Sequence, residues 1–202
     1  MNAPDRRPGA AVWPYAGTAS GRFVSLVAPA PAQISIRDIA HHLALQCRWA
    51  GATAAHYSIA QHSVLVAELL PPDPRLRALG LLHDAHEFVT GDICTPMKQA
   101  IGVRSDIERL PRIQARLDTA IHIACGLDNP YPGDEGPAIA AADRAMLWAE
   151  ARDLCHPALT AVIHGEFRVP DPVPGRIKPW PWPEAEARFL AAAARYLPTC
   201  PE

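Results

Sequence analysis

His83 and Asp84 stand side by side in Leu81-Leu82-His83-Asp84-Ala85-His86-Glu87, two metal-liking side chains ending an apolar run, with a carboxylate just behind them. Charged groups placed directly after Leu79, Leu81 and Leu82 are headed for burial, and buried charge needs partners. A divalent cation would satisfy them together. On a continuous helix His83 and Glu87 share a face while Asp84 points about 100° away, and an ion beside the helix is still within reach of both members of the adjacent pair. Further ligands must then come from other helices. His62 lies four residues after Ser58, one turn into a second helical pattern. Asp143 interrupts Ile139-Ala140-Ala141-Ala142, where a carboxylate among small apolar residues is costly unless paired. His62, His83, Asp84 and Asp143 would form a mixed nitrogen and oxygen shell, suited to Mn, Fe, Co, Zn or Mg more than to soft metals. The blander reading makes the histidines hydrogen-bonded core residues or helix caps, and pairs Asp143 with Arg144 or Arg48.

The elements that must position these residues are mostly helical. Ser35 followed by Asp38, and Ser58 followed by Gln61, are capping-box patterns. They open helices through Ile39, Leu43 and Cys47 (stopping near Gly51) and through Leu65, Val66, Leu69 and Leu70. Asp73-Pro74 is an N-cap with proline at the first helical position, and its helix is expected to run to about Val89. Gly91 to Pro96 reads as a loop. Ser105 with Glu108 caps a helix bent or interrupted at Pro111 and ending at Gly126. Further helices span Pro137 to about Cys155 and Pro183 to Leu197, the last rich in alanine. Gly17, Gly21 and the run Phe23 to Val27 suggest a small β-hairpin or extended arm. The class is all-α with a minor β element: one domain over 1–202, with an N-terminal arm over 1–34 and a proline-rich connection over 157–182 to the C-terminal helix.

At 202 residues, 49% hydrophobic and 20% charged, the chain has the composition of an ordinary globular domain. A net charge of −2 offers no general attraction to nucleic acid or anionic membrane. No apolar run is long enough for a membrane span, and Met1 to Gly9 lacks the apolar core of a secretory signal. Cys47, Cys94, Cys125, Cys155 and Cys200 are odd in number and scattered, with no CxxC, which points away from a disulfide framework and toward a reducing, cytoplasmic setting. The 22 prolines punctuate helices rather than form a low-complexity tract. Trp180 and Trp182 are expected to staple the C-terminal arm to the core. The alanine-rich last helix either closes the core or pairs with a second copy, making a homo-oligomer.

Four elements in order carry a more specific signal: Gln61-His62-Ser63 opening a helix, His83-Asp84-Ala85-His86-Glu87, then Gly91-Asp92, then Thr95-Pro96-Met97-Lys98. With the later lone Asp143, the helix start Ile36 to His41 and the turn Cys47-Arg48-Trp49, this order resembles the HD-domain metal-dependent phosphohydrolases. Within them it is most similar to the bacterial 5′-deoxynucleotidase group and its phage-associated relatives. The resemblance covers about Tyr15 to Cys155.

It implies an HD-type helical bundle holding a divalent metal on His62, His83, Asp84 and Asp143. Glu87 would position or deprotonate the attacking water, or protonate the leaving oxygen. Asp92 would sit at the substrate mouth, Arg48 would clamp phosphate, Trp49 would flank the base, and Lys98 would help neutralise the transferring group. A Lewis-acid metal would polarise a phosphoryl oxygen and acidify water. The expected substrate is a small nucleotide, first a 5′-(deoxy)nucleoside monophosphate. A deoxynucleoside triphosphate triphosphohydrolase is the near alternative, a cyclic-nucleotide or alarmone phosphodiesterase is further off, and a non-catalytic nucleotide-binding regulatory module is the alternative of another kind. Other readings stay open: Arg48 as a helix-end charge, Asp92 as a turn former, Lys98 as a solvated surface charge, Glu87 as a surface residue of the last helical turn. His86 gives no zinc-protease pattern, because H-E-x-x-H is absent.

Overall fold

Local capping signals become structure wherever a short polar side chain meets a free helix-end N–H. The computed structural model describes residues 13–102, 109–127, 133–166 and 173–202. Within them Ser35 opens α1 (Ile36–Leu45) and accepts from the Asp38 amide. Ser58 opens α2 (Ile59–Leu69) and accepts from the Gln61 amide at 3.1 Å. Asp73 opens α3 (Pro74–Leu82), accepting from the Leu76 amide at 2.7 Å with Pro74 in the first turn. The expected cap at Ser105 and Glu108 lies outside the described residues, as do Met1 to Gly9.

The capping boxes are completed only by half, because Asp38 and Gln61 turn to distant partners. Asp38 accepts from Thr18 Oγ1 at 2.8 Å, Ser20 Oγ at 2.6 Å and the Ser20 amide at 2.9 Å. It thereby ties α1 to the antiparallel hairpin of β1 (Tyr15–Gly17) and β2 (Phe23–Ser25), paired Tyr15 to Ser25. Gln61 instead clamps the backbone of the C-terminal segment, its Nε2 donating to Lys178 O and its Oε1 accepting from Trp180 N, both at 2.8 Å.

Two expected helices change length. The first stops at Leu45 rather than near Gly51: Cys47 pairs with Ser58 in an isolated bridge, and Arg48–Gly51 form a separate 3-10 turn. The third ends at Leu82 rather than Val89. The His83 ring donates through Nδ1 to Gly80 O at 2.7 Å, taking the carbonyl that would accept the next helical rung. The following bonds then close over three residues, Ala85 to Leu82, Glu87 to Asp84 and Phe88 to Ala85. A short helix, α4 (Glu87–Thr90), follows and ends at Gly91, whose φ of 78° is the left-handed conformation that glycine adopts without strain.

The loop after it spans 91–94, and Thr95-Pro96 already belong to α5 (Thr95–Gly102). Pro111 sits inside α6 (Arg109–Ala124). α7 (Gly136–Leu154) matches the expected span, but the stretch 157–182 contains α8 (Pro157–Glu166), a helix hidden behind its proline-rich surroundings. α9 (Trp182–Tyr196) is the last element.

α2 is the axis of the molecule. α1, α3, α7 and α9 all pack on it, and Ile59 to Val64, Val66 and Ala67 are buried. α9 also packs on α1 and α3, burying Ala185, Phe189, Ala192 and Ala193, so it closes the core within one chain. Trp180 packs against this core, whereas Trp182 is 43% exposed and meets the His41 ring edge-on. The described residues are thus mostly helical, with one two-stranded hairpin among them. All five cysteines are free thiols. Among the described residues no helix is long and apolar enough to cross a membrane.

Candidate metal centre

Two helices and one turn deliver the cluster. His62 comes from the buried axis α2, His83 and Asp84 from the tightened turn after α3, and Asp143 from α7. Their donor atoms converge. His62 Nε2 lies 3.2 Å from His83 Nε2, 3.1 Å from Asp143 Oδ1 and 3.7 Å from Asp84 Oδ2. His83 Nε2 lies 3.2 Å from Asp84 Oδ2 and 3.8 Å from Asp143 Oδ1. Donors held about 2.0–2.2 Å from one ion stand roughly 3.0–3.5 Å apart, so this spacing fits a divalent metal of ordinary size. His62, His83 and Asp143 satisfy a common ligand geometry, with Asp84 at its edge.

The histidines are prepared for that role by their other ring nitrogens. His83 Nδ1 faces the Gly80 carbonyl, which only accepts, and His62 Nδ1 faces Glu150 Oε1 at 2.6 Å, which as a carboxylate also only accepts. In the neutral form of each ring the proton is therefore held on Nδ1, and Nε2 is the nitrogen turned toward the cluster. Exposure rises across the site: the side chain of His62 is 0% exposed, that of His83 13%, and that of Asp143 39%. The cluster is thus sealed on the α2 side and open beside Asp143. Asp143, expected to need a partner among its small apolar neighbours, has one in His62, and its carboxylate lies toward the opening.

The charges hold one another. Burial works against the ionised form of Asp84, yet the His83 charge and hydrogen bond, with Arg48, hold it well below the usual carboxylate range. Burial also opposes Asp143, but the His62 hydrogen bond and the two histidine charges hold it down to about 2. Burial depresses His83, and Asp84 outweighs it, raising the ring to about 9. A field that favours positive charge on these rings is one that would also favour a cation among them.

Glu150 is the residue the sequence reading passed over. It is completely buried, and four donors surround its two oxygens. Oε1 accepts from His62 Nδ1 and from Tyr57 OH at 2.9 Å, and Oε2 accepts from Trp49 Nε1 at 3.0 Å and Arg48 Nε at 3.3 Å. Arg48 also donates from Nη1 to Asp84 Oδ2 at 3.2 Å. Arg48 and Trp49 are therefore brought to the cluster through carboxylates. The signal was present on α7: Asp143 and Glu150 are seven residues apart, and Glu150 adjoins a buried stripe of Ala142, Met146 and Ala149.

Glu87 lies at the same end. It is 2% exposed, its Oε2 has no hydrogen-bond partner, and Lys98 Nζ stands 3.7 Å from Oε1. Burial, then the charges of Asp84 and Asp92, push its carboxyl up to about 9. The expectation that Asp84 points away from the shared face of His83 and Glu87 is corrected by the helix break, because three-residue bonding brings positions i and i+3 into line. α1 fixes this corner: His42 Nδ1 donates to Phe88 O at 2.9 Å and Gln46 Nε2 to Glu87 O at 3.1 Å. His86 faces elsewhere, its Nδ1 2.9 Å from Asp118 Oδ1. The His56 side chain is exposed, whereas Tyr57 is buried against Glu150.

No family model matches the chain. It is 41% identical over 182 residues to the uncharacterized protein RCAP_rcc00048 of Rhodobacter capsulatus, a match covering 85% of this chain and 90% of that one. It is 36% identical over 121 residues to the uncharacterized protein YfdR of Escherichia coli K12, covering 60% and 61%.

Proposed function

The chain belongs to the same family as the Rhodobacter capsulatus protein, and we propose that it is an HD-domain, divalent-metal-dependent phosphohydrolase that removes phosphate from a nucleoside 5′-monophosphate. One observation supports this reading: donors from three parts of the chain, His62, His83 and Asp143, meet at metal-ligand spacing with Asp84 beside His83 at the edge, and each imidazole turns its Nε2 to the cluster. The ion would be Mn, Fe, Co, Zn or Mg, and when bound it supplies Lewis acidity toward a phosphoryl oxygen and an attacking water.

The protein's own groups handle the rest. Arg48, held rigidly by Asp84 and Glu150, presents its guanidinium edge to the phosphate. Glu87 holds its proton through neutral pH and is suited to give it to the leaving 5′-oxygen as the phosphorus–oxygen bond breaks, yielding nucleoside and inorganic phosphate. Lys98 and Asp92 flank that carboxyl and bias its proton in opposite senses. A monophosphate is favoured over a triphosphate by charge. Among the described residues Arg48 and Lys98 are cations beside the cluster, and each is already paired with carboxylates, Arg48 with Asp84 and Glu150, and Lys98 with Glu87.

The test is product release from deoxy- and ribonucleoside mono- and triphosphates, with Mn, Co, Mg and Zn each added to metal-stripped protein. Inorganic phosphate from monophosphates is the expected result. Tripolyphosphate would move the assignment to a triphosphate hydrolase, and silence throughout would leave a nucleotide-binding module.

A further inference from the structure

Glu150 divides its two oxygens between two tasks. Oε1 sets the ring of the buried ligand His62, while Oε2 fixes Trp49 and Arg48. The turn it holds is strained: Trp49 (φ 62°, ψ 23°) and Ala50 (φ 49°, ψ 31°) both sit in the left-handed region, where bulky side chains are outliers. Such geometry persists only where the surroundings over-determine it. Here they do so through the Trp49 indole bond to Glu150, the Arg48 amide bond to Tyr57 O at 2.9 Å and the Ala52 amide bond to Trp49 O at 2.9 Å.

We propose that Glu150 is a positioning residue that couples the metal-facing orientation of His62 to the conformation of the Arg48–Trp49 turn, so that one buried carboxylate sets both halves of the site. It rests on the phosphohydrolase reading only in giving the turn a nucleotide to contact. A glutamine cannot replace it. Its single oxygen can serve one pair of donors, and its amide would face the other pair as donor against donor. Separate carboxylates for the two halves would let each vary alone; a shared one does not.

The test needs neither substrate nor, in its first arm, metal. In a proton–nitrogen spectrum of the full metal-free chain, the His62 Nδ1–H and the Trp49 indole N–H should appear as bonded, protected resonances, the second identified by its absence in Trp49→Phe. Glu150→Gln should displace or erase both. Glu150→Asp, which keeps the buried charge but withdraws the oxygens, should shift both in smaller measure and serves if the glutamine variant does not fold. In the second arm, Mn²⁺ titrated calorimetrically should bind Glu150→Gln about 10- to 100-fold more weakly than wild type. Movement of only one resonance, or Mn²⁺ affinity preserved in Glu150→Gln, overturns the coupling. A wild-type chain that takes up no Mn²⁺ while Glu150→Gln moves both resonances overturns the phosphohydrolase reading and upholds the coupling.

Discussion

Glu87→Gln should stabilise the metal-free protein, and by an amount that grows with pH. The carboxyl is 2% exposed and is pushed by burial, then by Asp84 and Asp92, from an ordinary 4.5 to about 9. Between those values the folded chain keeps a proton that the unfolded chain releases. Folding must take up that proton, so stability is fullest below the unfolded pKa and falls as pH rises toward the folded one. At about 1.4 kcal/mol per pH unit, the folded wild type should lose roughly 4 kcal/mol through this group between pH 5 and pH 8. Glutamine cannot titrate, so its variant should escape the loss, while contributions from groups that do not interact with Glu87 cancel in the comparison. Urea unfolding of both proteins at the two pH values, with a chelator present, reads this double difference. Parallel pH dependence of the two proteins would refute the burial argument. The same substitution should lower turnover by about 10²- to 10⁴-fold, the usual worth of a positioned proton donor.

Asp143→Ala should weaken Mn²⁺ binding by more than about a hundredfold, exceeding the loss of an outer-sphere partner; calorimetry showing unchanged affinity would remove Asp143 from the ligand set. Asp38→Asn should cost about 1.5–3 kcal/mol at pH 7, the worth of hydrogen bonds to a charged acceptor. Burial opposes its charge, but bonds from Ser20 and Thr18 hold it below 3.8, so that stability is present above the ordinary carboxylate range and is lost as pH falls through the folded value. The gap between the two proteins, measured by urea unfolding, should therefore close in acid below about pH 4. Ala50→Gly should raise stability by about 0.5–1 kcal/mol, or roughly 1–4 °C in Tm, by relieving a left-handed alanine; a thermal melt showing destabilisation would contradict the strained turn.

What could be read from the sequence was what is decided within a turn of chain. Ser58 and Asp73 cap their helices because a short acceptor beside free amides has nowhere better to go. The second halves of the capping boxes were not legible, since Asp38 and Gln61 bond to residues 18–20 and 178–180. The break after Leu82 was hidden because it depends on a ring nitrogen of His83 reaching back to Gly80. His62, His83, Asp84 and Asp143 stood out as ionisable groups in apolar company, and their convergence follows from the packing of α2 against α3 and α7. Glu150 carried the same mark, but its partner His62 lies 88 residues away. Helix α8 was masked by the prolines around it.

The clamp of Gln61 on the C-terminal segment has a consequence for how the molecule is made. Gln61 and Lys178 are separated by 117 residues, and α9 follows that segment to form one wall around α2. A chain not yet extended past α9 therefore carries α2 with that wall missing, its apolar surface wet and its clamp open. Contacts of such long range are slow to form. The helix that carries His62 is enclosed only once residues 178–196 have joined it, so the cluster matures late in folding and does not seed it.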